Sequence, residues 1–555
     1  MENLTSFKKQ SWLVWFLKGI LILGFFVLAA RMFDLQVIRG SYYRSLSEGN
    51  RIRRVPIIAP RGVIYARGGE VLVGNREVKK KVVFYPDKSF EKSTDISGAD
   101  ESEIITESVR NYVLDDNFAH VSGYLGEVNK NEVGKVDPLC PEKGPRRLGS
   151  WVGRTGLEEI YECFLSGYDG EELVEVDSLG NKVRTLGRRE SIPGKDLKTT
   201  IDYELQKKVS SLMKDKKGAI VVSDPQGQVL ALYSSPSFDP NVFVFSERGE
   251  AITKVLNDEN LPMFNRAVGG LYHPGSVYKP VVAIAGLEEK VIDKNFKYND
   301  KGEIVIESIY GRFSYSNWYF TQYGGMEGEI DVVRAMARST DTFFYKLGEL
   351  SGIDNLTKWA REFNLDKRMG IDITGEAAGI VPDPEWKEKV KGERWFLGNT
   401  YHVSIGQGDL ALTPLSVNSM IGTIANDGEF CNPHIIGYSE MKDYGYDLRF
   451  GCKSLNISGE TLRLVKQGMI QACEAGGTGF TFFDAPIEVA CKTGTAEIDE
   501  ISKDTHAWFV FFAPVEESEI VVTVFVERGG EGSKAAGPVA RELFDYWFEE
   551  EEKEI

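Results

Sequence analysis

Ser276 and Lys279 stand three residues apart in the stretch Gly269–Pro280, G-G-L-Y-H-P-G-S-V-Y-K-P. Positions i and i+3 share one face of a helix, so an amine there can reach the proton of the hydroxyl. Pro280 is compatible only with the first turn of a helix, which therefore begins at about Ser276 and places that hydroxyl at the positive helix end. The string alone is weak, because S-x-x-K also starts at Ser6, Ser89, Ser211 and Ser439. What singles out Ser276 is its company. A-R-S-T-D-T-F-F-Y supplies Ser339 and Asp341, and C-K-T-G-T-A-E supplies Lys492, Thr493, Gly494 and Thr495. A K-T-G-T match arises by chance about once in a hundred chains of this length.

Such a set can perform acyl transfer. A lysine of ordinary pKa is charged near neutrality and is no base, but burial and a second cation, Lys492, would lower the pKa of Lys279. Ser339 can relay a proton between the lysines and a leaving amine. The backbone N–H groups of Ser276 and Thr495 are the candidate oxyanion hole. Lys492 with the hydroxyls of Thr493 and Thr495 would suit a terminal carboxylate. On a strand, Lys492 and Gly494 face one side and Thr493 and Thr495 the other. Gly494 would let the serine's segment approach, and an exposed strand edge there would accept an extended peptide.

The elements that must position these groups follow from pattern. Gly218–Tyr233 reads as a hairpin, a helix follows Ser276, and further helices are expected at Ile330–Leu350, Asn355–Phe363 and Thr461–Cys473. Strands are expected at Ile487–Lys492, Thr505–Ala513 and Ile520–Glu527, giving an antiparallel sheet with helices on both sides. Ser11–Ala30 is apolar except for Lys18 and a few small residues, long enough to span a bilayer, with Trp12 and Trp15 at one interface. The flanking charges are nearly balanced, so orientation rests on function. Six arginines lie between Arg44 and Arg67, either holding this region's own carboxylates or meeting anionic lipid. Phe118–Val128 reads as strand.

The chain has 555 residues and a formal net charge of −17, which disfavours sequence-independent nucleic-acid binding. Six cysteines are too few for a disulfide scaffold, and five scattered histidines suggest no metal site. The expected class is α+β: a cytoplasmic tail (1–10), a transmembrane helix (11–31), an elongated α+β pedestal (32–195), a catalytic domain (196–547) and an acidic tail (548–555).

With these residues in hand, the chain resembles the class B penicillin-binding proteins over nearly its whole length. N-R-A-V-G-G-L-Y-H-P-G-S-V-Y-K-P is similar to their nucleophile segment and K-T-G-T-A-E to their sheet motif. Glu376–Lys387 with Ser404–Leu415 resembles the intervening segments, and N-R-I-R-R-V-P-I-I-A-P-R-G-V-I-Y the juxtamembrane pedestal. The resemblance implies a peptidoglycan D,D-transpeptidase without cofactor, anchored in the bacterial plasma membrane, its N-terminus cytoplasmic and its catalytic domain outside. Ser276 would attack the penultimate D-Ala carbonyl of a stem peptide, expel D-Ala and pass the acyl group to an acceptor amine. β-Lactams would acylate the same serine.

S-T-D and D-T-F-F-Y are more similar to elongation-type members than to division-type ones. That implies a RodA-type SEDS glycosyltransferase as partner. Asp341 stands where many relatives have asparagine and is expected, with Thr493, Gly494 and Thr495, to bind the substrate; His273, where relatives have proline, reads as loop filler. The pedestal between Asn75 and His120 is short. The competing readings are a serine β-lactamase, a β-lactam sensor and a non-catalytic scaffold.

Overall fold

The computed structural model describes residues 11–85, 90–177, 180–244, 249–309, 311–437, 451–498 and 504–554. Of the alternative S-x-x-K serines, Ser6, Ser89 and Ser439 lie outside these residues. Ser211 sits in the helix Tyr203–Leu212, where its hydroxyl donates back to Lys208 O.

Residues 1–60, 76–109 and 167–193 form one compact unit. Its first helix, Ser11–Phe33, lacks a buried apolar face and is followed by a π-helical turn, Asp34–Ile38. An unpartnered apolar surface of that length fits hydrocarbon rather than water. Strand Ile52–Ile57 pairs antiparallel with Gly170–Val176, which pairs in turn with Lys182–Arg189. Val55, Val82, Phe84, Val174 and Val176 make the unit's small core. Arg51 and Arg54 pair with Glu175 and Glu171 on the neighbouring strand, so these arginines hold the region's own carboxylates.

The second unit comprises residues 61–75, 110–166 and 194–555. In its pedestal portion Arg61 and Arg110 are buried against Glu158, at 2.7 and 2.6 Å, and Arg61 also meets Glu162. Mutual neutralisation is what makes burial of these four charges tolerable. Phe118–Val128, expected as strand, is a short helix, Ala119–Ser122, and a strand, Leu125–Glu127. Gly123, at φ +74°, separates them.

The main sheet has the order Val229–Ser235, Gly218–Ser223, Ile520–Val526, Thr505–Ala513, Ala490–Glu497, all antiparallel. Phe509, Phe511, Val522 and Val524 pack one face against Leu205, Val209, Leu543 and Phe544 of the Tyr203–Leu212 and Gly537–Glu554 helices. Pro414–Ala425 covers the other face, and its Asn418 donates to Val521 O at 3.1 Å. The hydrophobic runs are continuous rather than alternating because both faces are covered.

Two expectations are corrected. The six cysteines do build a scaffold of bridges, Cys140–Cys163, Cys431–Cys452 and Cys473–Cys491, and none is free. Pairing depends on which Cα atoms the fold brings within about 6 Å, which spacing cannot reveal. The helix expected over Ile330–Leu350 is interrupted: Val332–Arg338 ends at Ser339 in the left-handed conformation (φ +55°), and a new helix, Asp341–Glu362, begins. That second helix runs through the separate Asn355–Phe363 prediction, with a kink at Gly352.

Candidate active site

The nucleophile segment starts as a 3₁₀ turn, Gly275–Tyr278, and becomes α-helical at Lys279 with Pro280 in the first turn. The proline rule thus located the helix start, but the first turn is tightened. The turn is held from two sides. Gly275 N donates to Gly406 O at 2.9 Å, and Tyr272 exchanges two backbone bonds with Leu412, which fixes the S-I-G-Q-G segment behind the serine. Gly275 has φ +58°, and a Cβ there would come within 2.9 Å of Thr495 O. His273 Nδ1 bonds Leu410 O at 2.7 Å while its own carbonyl accepts from Trp508 Nε1 at 3.0 Å, as a loop-filling residue does.

Ala490–Glu497 is an edge strand, paired among the described residues with Thr505–Ala513 alone. It begins and ends three and five residues later than the expected strand end-points because the whole K-T-G-T segment is extended. Gly494 backs onto the nucleophile segment, where a Cβ would lie 3.0 Å from Pro274 O and from Val277 Cγ1. Lys492, on the same face, is fully buried and donates to Ser339 Oγ at 2.9 Å and to Thr493 O at 3.0 Å. Thr493 Oγ1 donates to Thr478 Oγ1 at 2.9 Å, and Thr495 Oγ1 accepts from Gly532 N at 3.1 Å.

Lys279 is also fully buried. Its Nζ donates to Ser339 O (2.8 Å), Ser339 Oγ (3.1 Å) and Asp341 Oδ1 (2.7 Å), with the Phe344 ring 5.1 Å away. Ser339 Oγ therefore lies between the two lysine amines. The interrupted helix makes this possible: the left-handed residue turns the chain so that both the carbonyl and the hydroxyl of Ser339 point at Lys279.

Burial pushes the pKa of Lys279 down, opposed by the Asp341 carboxylate. Burial and then the neighbouring Lys279 charge hold Lys492 well below its ordinary value. Lys279 is thus lowered as expected, by burial and against the opposition of Asp341, while Lys492, expected as the cation, is itself lowered.

Three of the four expected catalytic side chains, Lys279, Ser339 and Lys492, share this hydrogen-bonded arrangement, and Ser276 lies on the turn that leads into Lys279. Asp341 does not face outward: Oδ1 takes Lys279, and Oδ2 accepts from Trp318 N at 3.1 Å. Sequence reasoning missed Asn317, whose side-chain oxygen accepts from Asp341 N at 3.2 Å, and also Trp318, Phe344 and Thr478. Of these, only Phe344 belonged to a quoted motif; Asn317 and Trp318 lie more than twenty positions before Asp341. Among the described residues, the His, Cys, Asp and Glu side chains close enough to share an ion are Asp137, Cys140 and Cys163, and those two sulfurs are joined.

Residues 218–545 match the family model described as "Penicillin binding protein transpeptidase domain", and residues 89–199 match "Penicillin-binding Protein dimerisation domain". The chain is 31% identical to the peptidoglycan D,D-transpeptidase MrdA of Acinetobacter baumannii, over 96% of this chain and 87% of that protein. It superposes on penicillin-binding protein 2 (PBP2) of Helicobacter pylori, solved in complex with MreC, with a TM-score of 0.75 at 27% identity, covering 90% and 99% of the two chains. A chain of a peptidoglycan synthase complex that coordinates polymerization and crosslinking matches with a TM-score of 0.73 at 27% identity, covering 96% and 97%.

Proposed function

Because the chain belongs to the penicillin-binding protein transpeptidase family and is a serine-type peptidoglycan D,D-transpeptidase, we propose that Ser276 carries the acyl group, with Lys279, Ser339 and Lys492 moving its proton. The observation that carries this reading is Ser339 Oγ held at 3.1 and 2.9 Å from two buried lysine amines, one of them beside the serine's own turn.

Burial and the neighbouring Lys279 charge lower the pKa of Lys492, and burial lowers that of Lys279 against the opposition of Asp341, so the two amines can exchange a proton. Ser339 Oγ, which accepts from both amines, can carry a proton between them by taking one from Lys279 as it gives its own to Lys492. A peptide laid along the edge strand brings its terminal carboxylate toward Lys492, Thr493 and Thr495, and a nearby anion favours protonated Lys492. A proton passes from Lys279 through Ser339 to Lys492, leaving Lys279 as the base for Ser276 Oγ. Attack on the penultimate D-Ala carbonyl gives an oxyanion for the N–H groups of Ser276 and Thr495. Ser339 returns a proton to the departing D-Ala amine, and the acceptor amine reverses the sequence. Asp341 acts through Lys279, holding it in place and opposing the lowering of its pKa.

A β-lactam, acylating the same serine, tests this directly. Fluorescent penicillin should leave a lasting covalent label on the protein, lost in Ser276→Ala. Rapid turnover of the label would favour a β-lactamase, and no label a scaffold.

The exposed apolar helix Ser11–Phe33 supports a single-pass anchor. Three disulfides in the residues that follow support an oxidising compartment for them, hence a cytoplasmic N-terminus. The likeness to MrdA and PBP2 favours wall elongation over division. A RodA-type glycosyltransferase, which would supply the glycan strands to be cross-linked, and an MreC-like protein are the partners this reading implies. Depletion in the source bacterium should then give rounded cells, whereas filaments would reassign it to division.

A further inference from the structure

The disulfide Cys473–Cys491 joins the C-terminal residue of the helix Gly459–Cys473 to the strand residue immediately before Lys492. Side chains alternate along a strand, so the bridge grips the K-T-G strand from the face opposite Lys492. The loop that leaves Cys473 returns to the site at two points. Thr478 Oγ1 accepts from Thr493 at 2.9 Å, and Gly476 O accepts from Arg338 Nη1 at 3.0 Å, next to Ser339. Gly479 closes the loop with N–H to Ala472 O at 2.8 Å, and a Cβ on it would lie 2.6 Å from Cys491 Sγ. One bridge thus ties together the helix, the loop and the strand that set Lys492 and Ser339 apart by a single hydrogen bond.

Both cysteines are buried in the sheet's core cluster, Cys473 with 5% exposure, and they differ in what lies beside them. Cys491 is fully buried in the sheet's core. Cys473 lines a cavity of about 330 Å³ with Ile470, Glu474, Phe482, Phe483 and Glu488. Of the two, Cys473 is the one that borders this cavity, so it is the sulfur an incoming thiolate would meet, with Cys491 as the leaving group.

We propose that Cys473–Cys491 is a thiol-exchange site whose intact bond positions Lys492 against Ser339, so that exchange with a thiol slows acylation of Ser276. In the first step a thiolate forms a mixed disulfide with Cys473, the Cys473–Cys491 bond breaks, and Cys491 leaves as a thiolate that takes a proton in its apolar surroundings. A second thiol attacks the mixed disulfide, releasing Cys473 as a thiol and the two small thiols as their own disulfide. The inference rests on the catalytic roles of Lys492 and Ser339 given above.

The full-length protein in detergent is treated with glutathione, alkylated and mapped by mass spectrometry, and fluorescent-penicillin acylation is timed across pH. Glutathione should be found on Cys473 and the alkyl group on Cys491. Acylation should fall about tenfold or more with an altered pH profile, as expected when a catalytic pair is displaced by a fraction of an ångström. Cys473→Ala/Cys491→Val should reproduce the fall, while Cys431→Ser/Cys452→Ser should lower the melting temperature without changing the profile. Mixed disulfide on Cys491 alone, an unchanged acylation rate after exchange, or the same loss in both double variants would overturn the proposal. Ser276→Ala, unlabelled in either redox state, separates this outcome from failure of the nucleophile assignment.

Discussion

Lys279 Nζ lies 2.7 Å from Asp341 Oδ1, so the lysine next to the proposed nucleophile is ion-paired in the free protein. The carboxylate opposes the lowering that burial imposes on Lys279. Asp341→Asn keeps a hydrogen-bonding side chain but removes that opposition, and the pKa of Lys279 should fall further. With Lys279 as base, the rising limb of acylation against pH should move to lower pH. The penicillin acylation rate measured across pH checks this, and an unmoved limb excludes Lys279 as the base.

Ser339→Ala removes the one side chain that both lysines share. A positioned proton-transfer group is worth roughly 10²–10⁴ in rate, so acylation should slow by about that factor. Saturation kinetics with penicillin should show the loss in the first-order acylation step, with the prior binding constant little changed.

Gly275 and Gly392 both adopt positive φ, +58° and +69°, but only Gly275 has a neighbour, Thr495 O, inside van der Waals range of a Cβ. Alanine at either position should cost about 1–2 kcal/mol of stability for the left-handed backbone. Gly275→Ala should in addition push the nucleophile turn off the K-T-G strand and slow acylation. Chemical denaturation and penicillin labelling of the two variants side by side separate strain from the close approach.

His120 is buried, donates from Nε2 to Pro262 O (2.8 Å), and meets the Phe238 ring edge-on. Burial lowers its pKa to about 4 from 6.5. Since the folded-state pKa is depressed, the unfolded chain binds more protons between these values, and stability is lost as pH falls from about 6.5 toward about 4. The full effect is of order 3 kcal/mol. His120→Gln, which keeps a donor near Pro262 O, should flatten that part of the curve of urea midpoint against pH; His506, also lowered to about 4, contributes in the same direction.

Much of the site was legible in the chain because it rests on local rules. Pro280 fixed where a helix could start, alternation on a strand put Lys492 and Gly494 on one face, and K-T-G-T was too specific to be chance. The hydrophobic runs at Gly218–Ser223, Thr505–Ala513 and Ile520–Val526 likewise announced buried strands.

What the chain alone could not supply was distance. The apolar spacing of Val332, Ala335, Met336, Phe343, Phe344 and Leu347 suggested one helix through Ser339, and only the structure shows the left-handed turn that divides it. Asp341 could be seen in the motif but not its choice of Lys279, since that contact spans 62 positions and depends on two helices meeting where Gly286 admits Leu347. The cysteine pairs are invisible for the same reason. Residue types and spacing thus determined which groups could do chemistry; burial and long-range packing decided which partners each buried amine has.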